Sequence, residues 1–232
     1  MIVAAFQTAA EGIAREQALL TAARPAVLLW QARDDAIVVP EAWLRRAAVC
    51  AIMPDLTRSG WQLLPRGSGG GAVPQGPCTL NLAVILPLPT GTGIEHGYRL
   101  ICGALSESLT RFEVATCTGA VAGAFCDGAW NVTAGGRKLA GTAQRWRSTP
   151  DGRIALLHAS ILMTPPPDRV WPALAALHSA AGLKQAPLLP EAHVALSQLL
   201  PETMRAPAFP GALARAAEDR LSRALTERQH AA

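Results

Sequence analysis

Two side chains, Cys126 and Lys138, hold this chain's best prospect of covalent chemistry. A thiolate is the attacking form of cysteine, and a neighbouring ammonium draws a thiol pKa from ~8.5 toward neutrality. The same ammonium can steady the oxyanion that forms when a thioester is attacked. Lysine suits both tasks because it is compact and can give up its proton when buried, which arginine does poorly. The residue type is conspicuous, since Lys138 and Lys184 are the only lysines among 21 Lys and Arg. Cys126 sits in a glycine-flanked loop before a strand, and "AGG" at 134–136 reads as a hairpin turn that puts Lys138 on the return strand. The two meet only if the cysteine loop folds back over the sheet. Otherwise Cys126 is a small core residue and Lys138 a surface charge.

A second stretch, "RGSGGGAVPQGP" from Arg66 to Pro77, follows a strand-like segment. Three consecutive glycines are costly in entropy unless the backbone must bend tightly or admit a close neighbour. Exposed N–H groups there could hold an anion or a carbonyl oxygen, and Arg66 at the loop mouth favours an anionic or polar group. The alternative is a flexible surface turn. The loop matches neither GxxxxGK[ST] nor GxGxxG. His96, His158, His178 and His193 form no HExxH or HxH cluster, so no metal site is expected. His158 lies in the apolar pattern "IALLHASIL" and reads as a satisfied core or cleft histidine. Asp127 reads as a turn cap. The GxSxG serine elbow is absent.

These residues need a scaffold. With 232 residues, half of them hydrophobic and 16% charged, the chain can build one large domain or one with a small appendage. A net charge of +4 with scattered basic residues argues against a nucleic-acid partner. Five widely spaced cysteines without a CxxC pair fit a reducing cytosol better than a disulfide framework. The start of the chain lacks a signal-peptide pattern, and no window approaches the ~20 apolar residues of a membrane span. The expectation is a soluble, cytoplasmic protein.

Helices are expected over 8–23, over 41–59 in two pieces broken at Pro54, over 94–110 (Ile94, Tyr98, Ile101, Leu105 and Leu109 on one face), and over 211–228. Strands are expected at 26–30 and 36–39, paired around Arg33-Asp34-Asp35, and at 61–65 and 78–87. Further short strands are "EVAT", "WNVTA", "KLAGTAQRW" and "RIALLHASILM", the last two joined by a turn at "TPDG". Strands in the middle and helices at both ends argue an α+β fold with a mixed, largely antiparallel sheet flanked by helices. Residues 1–182 would form the catalytic domain and 183–232 a C-terminal helical appendage packed on it.

Taken together, the chemically interesting stretches resemble the biotin/lipoate protein ligase superfamily. "RGSGGGAVPQGPCTLNLAV" resembles its R-x-S-G-G-G-A-V segment, "NVTAGGRKLAGTAQRW" its N-L-V-x-x-G-x-K-I-x-G-[ST]-A-Q segment, and "RIALLHASILM" the strand that follows, often L-x-H-x-S-[IL]; "LLWQARDDAIVVP" is similar to the strand pair before the loop. The resemblance covers roughly residues 26–165. It implies a fold of this α+β class and attachment of lipoate, octanoate or biotin to a lysine of a small carrier domain. Lys138 matches the lysine that contacts the acyl carbonyl or the activated intermediate. Arg66, Ser68, Gly69, Gly70, Gly71 and Ala72 match the loop lining the acyl and nucleotide pocket. Asn131 falls where ligases carry an acid or asparagine near the phosphates. Gly141, Thr142, Ala143 and His158 are substrate-binding positions by the same likeness.

Within that superfamily, Cys126 through Lys138 resembles the C-P-G-S-Y-D-x-x-x-x-G-K-K run of octanoyl amidotransferases, with Asp127 in place of the proline. The ligases continue G-G-G-A-V with an aromatic-His-Asp, where Pro74, Gln75 and Gly76 stand here. The reading is therefore a lipoyl/octanoyl protein acyltransferase that carries the acyl group on Cys126. Its substrate is an octanoyl or lipoyl group, and its partner a lipoyl carrier domain or a glycine cleavage H-like protein, with acyl carrier protein as a further partner. An ATP- and Mg-dependent lipoate-protein ligase is the alternative, and a non-catalytic relative that binds an acylated carrier is a third.

Overall fold

The computed structural model describes residues 3–89, 91–150, 152–183, 187–205 and 208–230. After a short strand β1 (Val3–Phe6), helix α1 (Ala9–Ala22) starts at Thr8, whose side chain accepts the Glu11 N–H while the Glu11 carboxylate accepts the Gln7 N–H. The first bond satisfies one orphan donor of the helix, and the second ties the residue before the cap to the first turn. The helix ends at Ala23 in the left-handed conformation, ahead of Pro25.

Strands β2 (Ala26–Ala32) and β3 (Ala36–Pro40) do not form the expected hairpin. The Arg33 and Asp34 N–H groups donate instead to Phe6 and Gln7 carbonyls, turning the chain out of the main sheet. β3 then joins β4 (Gln62–Arg66) in parallel and β5 (Val73–Gln75) antiparallel, in a small three-stranded sheet. Between them lie a 3₁₀ turn (Glu41–Arg45) and helix α2 (Ala47–Arg58). The break falls at extended Arg46, and Pro54 lies inside α2. Proline's fixed φ suits a helix, and the carbonyl it leaves without an intrahelical donor is that of exposed Cys50, so the loss is met at the surface.

The main sheet adds β6 (Thr79–Leu88), β7 (Cys117–Thr118), β8 (Val132–Ala134), β9 (Arg137–Thr149) and β10 (Gly152–Leu162), in the order β1-β2-β6-β10-β9-β8-β7. Only β1 and β2 pair in parallel, so the sheet is mixed and largely antiparallel. Thr149 pairs with Gly152 as the "TPDG" turn requires; Asp151 lies outside the described residues. "EVAT" is not a strand: Glu113 has φ 61°, and the Glu113 and Val114 N–H groups bond back to Thr110 and Leu109 to close the preceding helix.

β6 is almost wholly buried because both faces are covered. Leu80, Leu82, Val84 and Leu86 face helices α3 (Ile94–Thr110) and α6 (Ala208–His230), packing with Ile101, Leu105, Phe209 and Leu213. Ala83 and Ile85 face α1, with Leu20. The period-2 rule puts Asn81, His158 and Ser160 on that α1 side. On α3 the expected stripe is buried at Ile101, Leu105 and Leu109, while Ile94 is 61% exposed. The remaining helices are α4 (Val170–Ala180) and α5 (Glu202–Arg205).

Candidate active site

A β-bulge decides which way Lys138 points. Val132 pairs with Ala140 but Thr133 with Lys138, so β9 carries one extra residue there. Leu139 and Ala140 consequently both enter the main core, and the side chain of Lys138 reaches the same face as Gly141. Without that extra residue, alternation would send Lys138 to the α3 side.

The lysine is 1% exposed. Its Nζ donates to the Phe125 carbonyl at 2.6 Å and the Cys126 carbonyl at 2.9 Å, and sits 4.9 Å from the centre of the Phe125 ring. Burial lowers its pKa to about 8, while Cys126 and Asp127 act the other way. A Cβ on Gly141 would stand 3.3 Å from Nζ, so glycine leaves room for the amine. The cysteine loop does fold back over the sheet, and the lysine grips its backbone.

The sulfur has other partners. Cys126 Sγ accepts the Gly71 N–H at 3.0 Å and lies 3.9 Å from Arg66 Nη2. Arg66 is buried, and its guanidinium also donates to the carbonyls of Val38, Gly69 and Gly71, so it braces the glycine loop from inside. Burial pushes its pKa down, and the nearby Cys126 and Glu16 oppose this. Two glycines are required by space. A Cβ on Gly70, at φ 101°, would come 2.8 Å from Cys126 Sγ, and one on Gly71 would come 3.2 Å from Cys126 Cα. Gly69 has nothing within 4 Å of such a Cβ. Ala72 is buried in the core beside the small sheet.

Cys126 itself has φ 46°, a conformation a non-glycine residue adopts only when its surroundings hold it there. Asp127 supplies part of that hold by accepting the N–H groups of Val121 and Gly128 and the Asn131 side-chain amide, all on Oδ1. Asn131 is thus spent on the loop and stands outside the cavity wall.

Cys126, Phe125 and Arg66 are among the residues that line a cleft open to solvent. Gly141, Thr142 and Ala143 form part of its floor, with Thr142 Oγ1 donating to the Trp130 carbonyl. Farther along the sheet His158 joins a chain of polar groups. Ser68 Oγ lies 2.8 Å from His158 Nε2, His158 Nδ1 is 3.1 Å from Glu16 Oε2, and Glu16 Oε1 accepts the Trp30 indole N–H at 2.8 Å. Because a carboxylate oxygen only accepts, Nδ1 carries a proton toward Glu16, while Nε2 meets the Ser68 hydroxyl, which can donate or accept. Gln75, Asn81 and Ser160 form a second bonded group in the wall. Glu16, Gln75, Asn81, Ser160, Trp30 and His193 are not among the expected site residues, although Trp30, Gln75, Asn81 and Ser160 fall inside the quoted segments. For the strand residues the signal is a polar or aromatic side chain on an otherwise apolar face, whereas Glu16 comes from α1 and His193 from the segment after a 3₁₀ turn. Among the described residues no cluster of His, Cys, Asp or Glu has metal-site geometry, and no helix is long and apolar enough to cross a membrane.

This geometry agrees with the likenesses of the chain. The lipoyl protein ligase A/B catalytic domain family model matches residues 8–218. An uncharacterised protein of Cupriavidus necator is 37% identical over 183 residues, 72% of each chain. An octanoyl-[GcvH]:protein N-octanoyltransferase of Kyrpidia tusciae is 35% identical over 144 residues, 60% of this chain, and the match spans half of that enzyme's length. Among solved structures, protein Ta0514 of T. acidophilum, assigned as a lipoate protein ligase, superposes with a TM-score of 0.69 at 17% identity over 95% of this chain and 84% of its own, a likeness of fold. The chain belongs to the lipoyl protein ligase A/B catalytic domain family.

Proposed function

We propose that this protein transfers a medium-chain acyl group, octanoyl or lipoyl, through a Cys126 thioester to a lysine of a lipoyl carrier domain. The observation that carries the reading is the sulfur itself. It lines a mostly apolar cleft, with a backbone N–H and a buried guanidinium on it and a buried amine beneath its loop. The name of the Kyrpidia relative supports an octanoylated glycine cleavage H-like protein as donor.

In the first half-reaction the Cys126 thiolate attacks the acyl carbonyl. The positive charge of Arg66, which lines the cleft beside the sulfur, stabilises the oxyanion while Lys138 holds the loop beneath it, and the leaving amine or thiol departs with a proton from water that the carrier lysine returns in the second half-reaction. In the second, the neutral amine of the carrier lysine attacks the thioester, loses a proton, and expels the Cys126 thiolate as the amide forms. The eight-carbon chain would lie along Gly141–Ala143. At about 0.8 kcal/mol per methylene, its burial contributes about 5 kcal/mol of anchoring.

The test is intact-mass spectrometry after incubation with an octanoylated carrier domain in one tube and octanoate with ATP in another. The expected result is a mass gain of one octanoyl group from the first donor, mapped to Cys126 and absent in Cys126→Ser. Acyl transfer that needs ATP and survives Cys126→Ala would refute the covalent reading and favour the ligase reaction.

A further inference from the structure

The residue that finishes the cysteine loop comes from far along the chain. His193, just after a 3₁₀ turn (Pro190–Ala192), is 5% exposed and packs its ring against both Phe125 (centroids 4.4 Å, nearly parallel) and Trp171 (5.0 Å), which also touch each other. Its Nδ1 lies 3.0 Å from the Leu189 carbonyl and 3.3 Å from that of Pro190. Both are acceptors only, so Nδ1 bears the proton and Nε2 presents a lone pair. That lone pair accepts the Phe125 N–H at 3.2 Å. The segment is tied down on either side, by Leu189 N–H to the Gly123 carbonyl and Val194 N–H to the Lys138 carbonyl.

The Phe125 backbone is therefore gripped twice, its N–H by His193 and its carbonyl by Lys138, immediately before the left-handed Cys126. A buried N–H without an acceptor would drive the loop to re-pair it. Any such rearrangement would release the unfavourable φ at Cys126 and move the sulfur off the Gly71 N–H.

We propose that His193 is a positioning residue for the nucleophile: by accepting the Phe125 N–H it holds Cys126 in the backbone conformation that keeps Sγ on Gly71 and at the cleft. The inference rests on the reading of Cys126 as the acyl-carrying residue. It gives the region after residue 183 a part in catalysis without contact to the substrate.

The experiment compares His193→Phe, which retains a ring for the stack but no acceptor, with His193→Gln, whose amide oxygen reaches the Nε2 position. One readout is the rate of iodoacetamide alkylation of Cys126 at pH 7, followed by peptide mass so that exposed Cys50 and Cys117 are scored apart. The other is the kcat and KM of acyl transfer. His193→Phe should alkylate Cys126 about tenfold more slowly and lose about tenfold in kcat with KM within about twofold, the scale of one lost buried hydrogen bond, and His193→Gln should restore most of both. A Phe variant that melts with the wild type and alkylates as fast or faster overturns the proposal. If the Phe variant is unstable, Gln is compared with His193→Asn, too short to reach Phe125; equal rates overturn it. Alkylation needs no acyl chemistry, so a wild-type protein that never acquires an octanoyl group refutes the thioester while still leaving His193 judged.

Discussion

Replacing Lys138 with methionine should change how stability depends on pH, by an amount the structure sets. The ammonium is fully buried, and burial lowers its pKa from 10.5 to about 8. In the unfolded chain the same lysine titrates near 10.5. Between those values the unfolded state binds a proton that the folded state has released, so stability rises with pH across that window. The cost of burying the charge is in force below pH 8 and is relieved as pH climbs to 10.5. At 1.36 kcal/mol per pKa unit, the relief is about 3 kcal/mol. Two thiols oppose it in the wild type. Burial raises Cys78 and Cys102 to about 11, so the unfolded chain ionises first and stability falls from about pH 9 upward. Both thiols persist in Lys138→Met and cancel in the difference. The assay is urea unfolding of both proteins at pH 7.5, 9 and 10.5. The wild type should gain about 3 kcal/mol on the variant over that range, and a difference that stays flat would refute the buried ammonium and the role built on it.

Gly70→Ala places a Cβ 2.8 Å from Cys126 Sγ at φ 101°, so it should cost about 1–3 kcal/mol in chemical denaturation and slow Cys126 alkylation; a neutral effect on both would contradict the close approach. Gly12→Ala pits helix propensity, worth about 1 kcal/mol, against a Cβ 2.3 Å from the Trp30 ring; the clash should win with a net loss of about 1–2 kcal/mol, read by melting. On the acid side, burial lowers His193 to about 4, with the Lys138 charge adding to the shift. The unfolded chain therefore binds the proton first, and stability falls as pH drops from about 6.5 to 4, by up to about 3 kcal/mol; buried His178 acts in the same direction, and His193→Gln should remove only the His193 share.

Local patterns carried the helices well. The 3.6-residue spacing over 94–110 corresponds to α3 (Ile94–Thr110), and the helix expected over 8–23 corresponds to α1 (Ala9–Ala22). Pairing was less legible. Two apolar runs separated by Arg33-Asp34-Asp35 read as a hairpin, yet β1 supplies carbonyls that draw the turn's N–H groups away. The Pro54 break failed because a single missing N–H costs little where the orphaned carbonyl can meet water. For the site, residue types left the glycine loop and Lys138 open between a site and a surface feature, and the resemblance of "RGSGGGAV" and "GRKLAGTAQ" to the biotin/lipoate ligase segments is what singled them out. The partners came out differently: Lys138 holds the carbonyl of Cys126, while Arg66 and Gly71 reach its sulfur.

Sequence alone determined the chemical inventory, since a rare lysine, a loop cysteine and a glycine run are covalent facts, and short-range spacing shows which stretches are helix or strand. Tertiary structure alone decided the geometry. The extra residue of β9 turns Lys138 to the underside of the cysteine loop, sheet order brings Glu16 from α1 to His158 on β10, and a segment nearly seventy residues beyond the cysteine supplies His193. Strand register and long-range hydrogen bonds depend on how all the apolar faces are covered at once, and no local window contains that information.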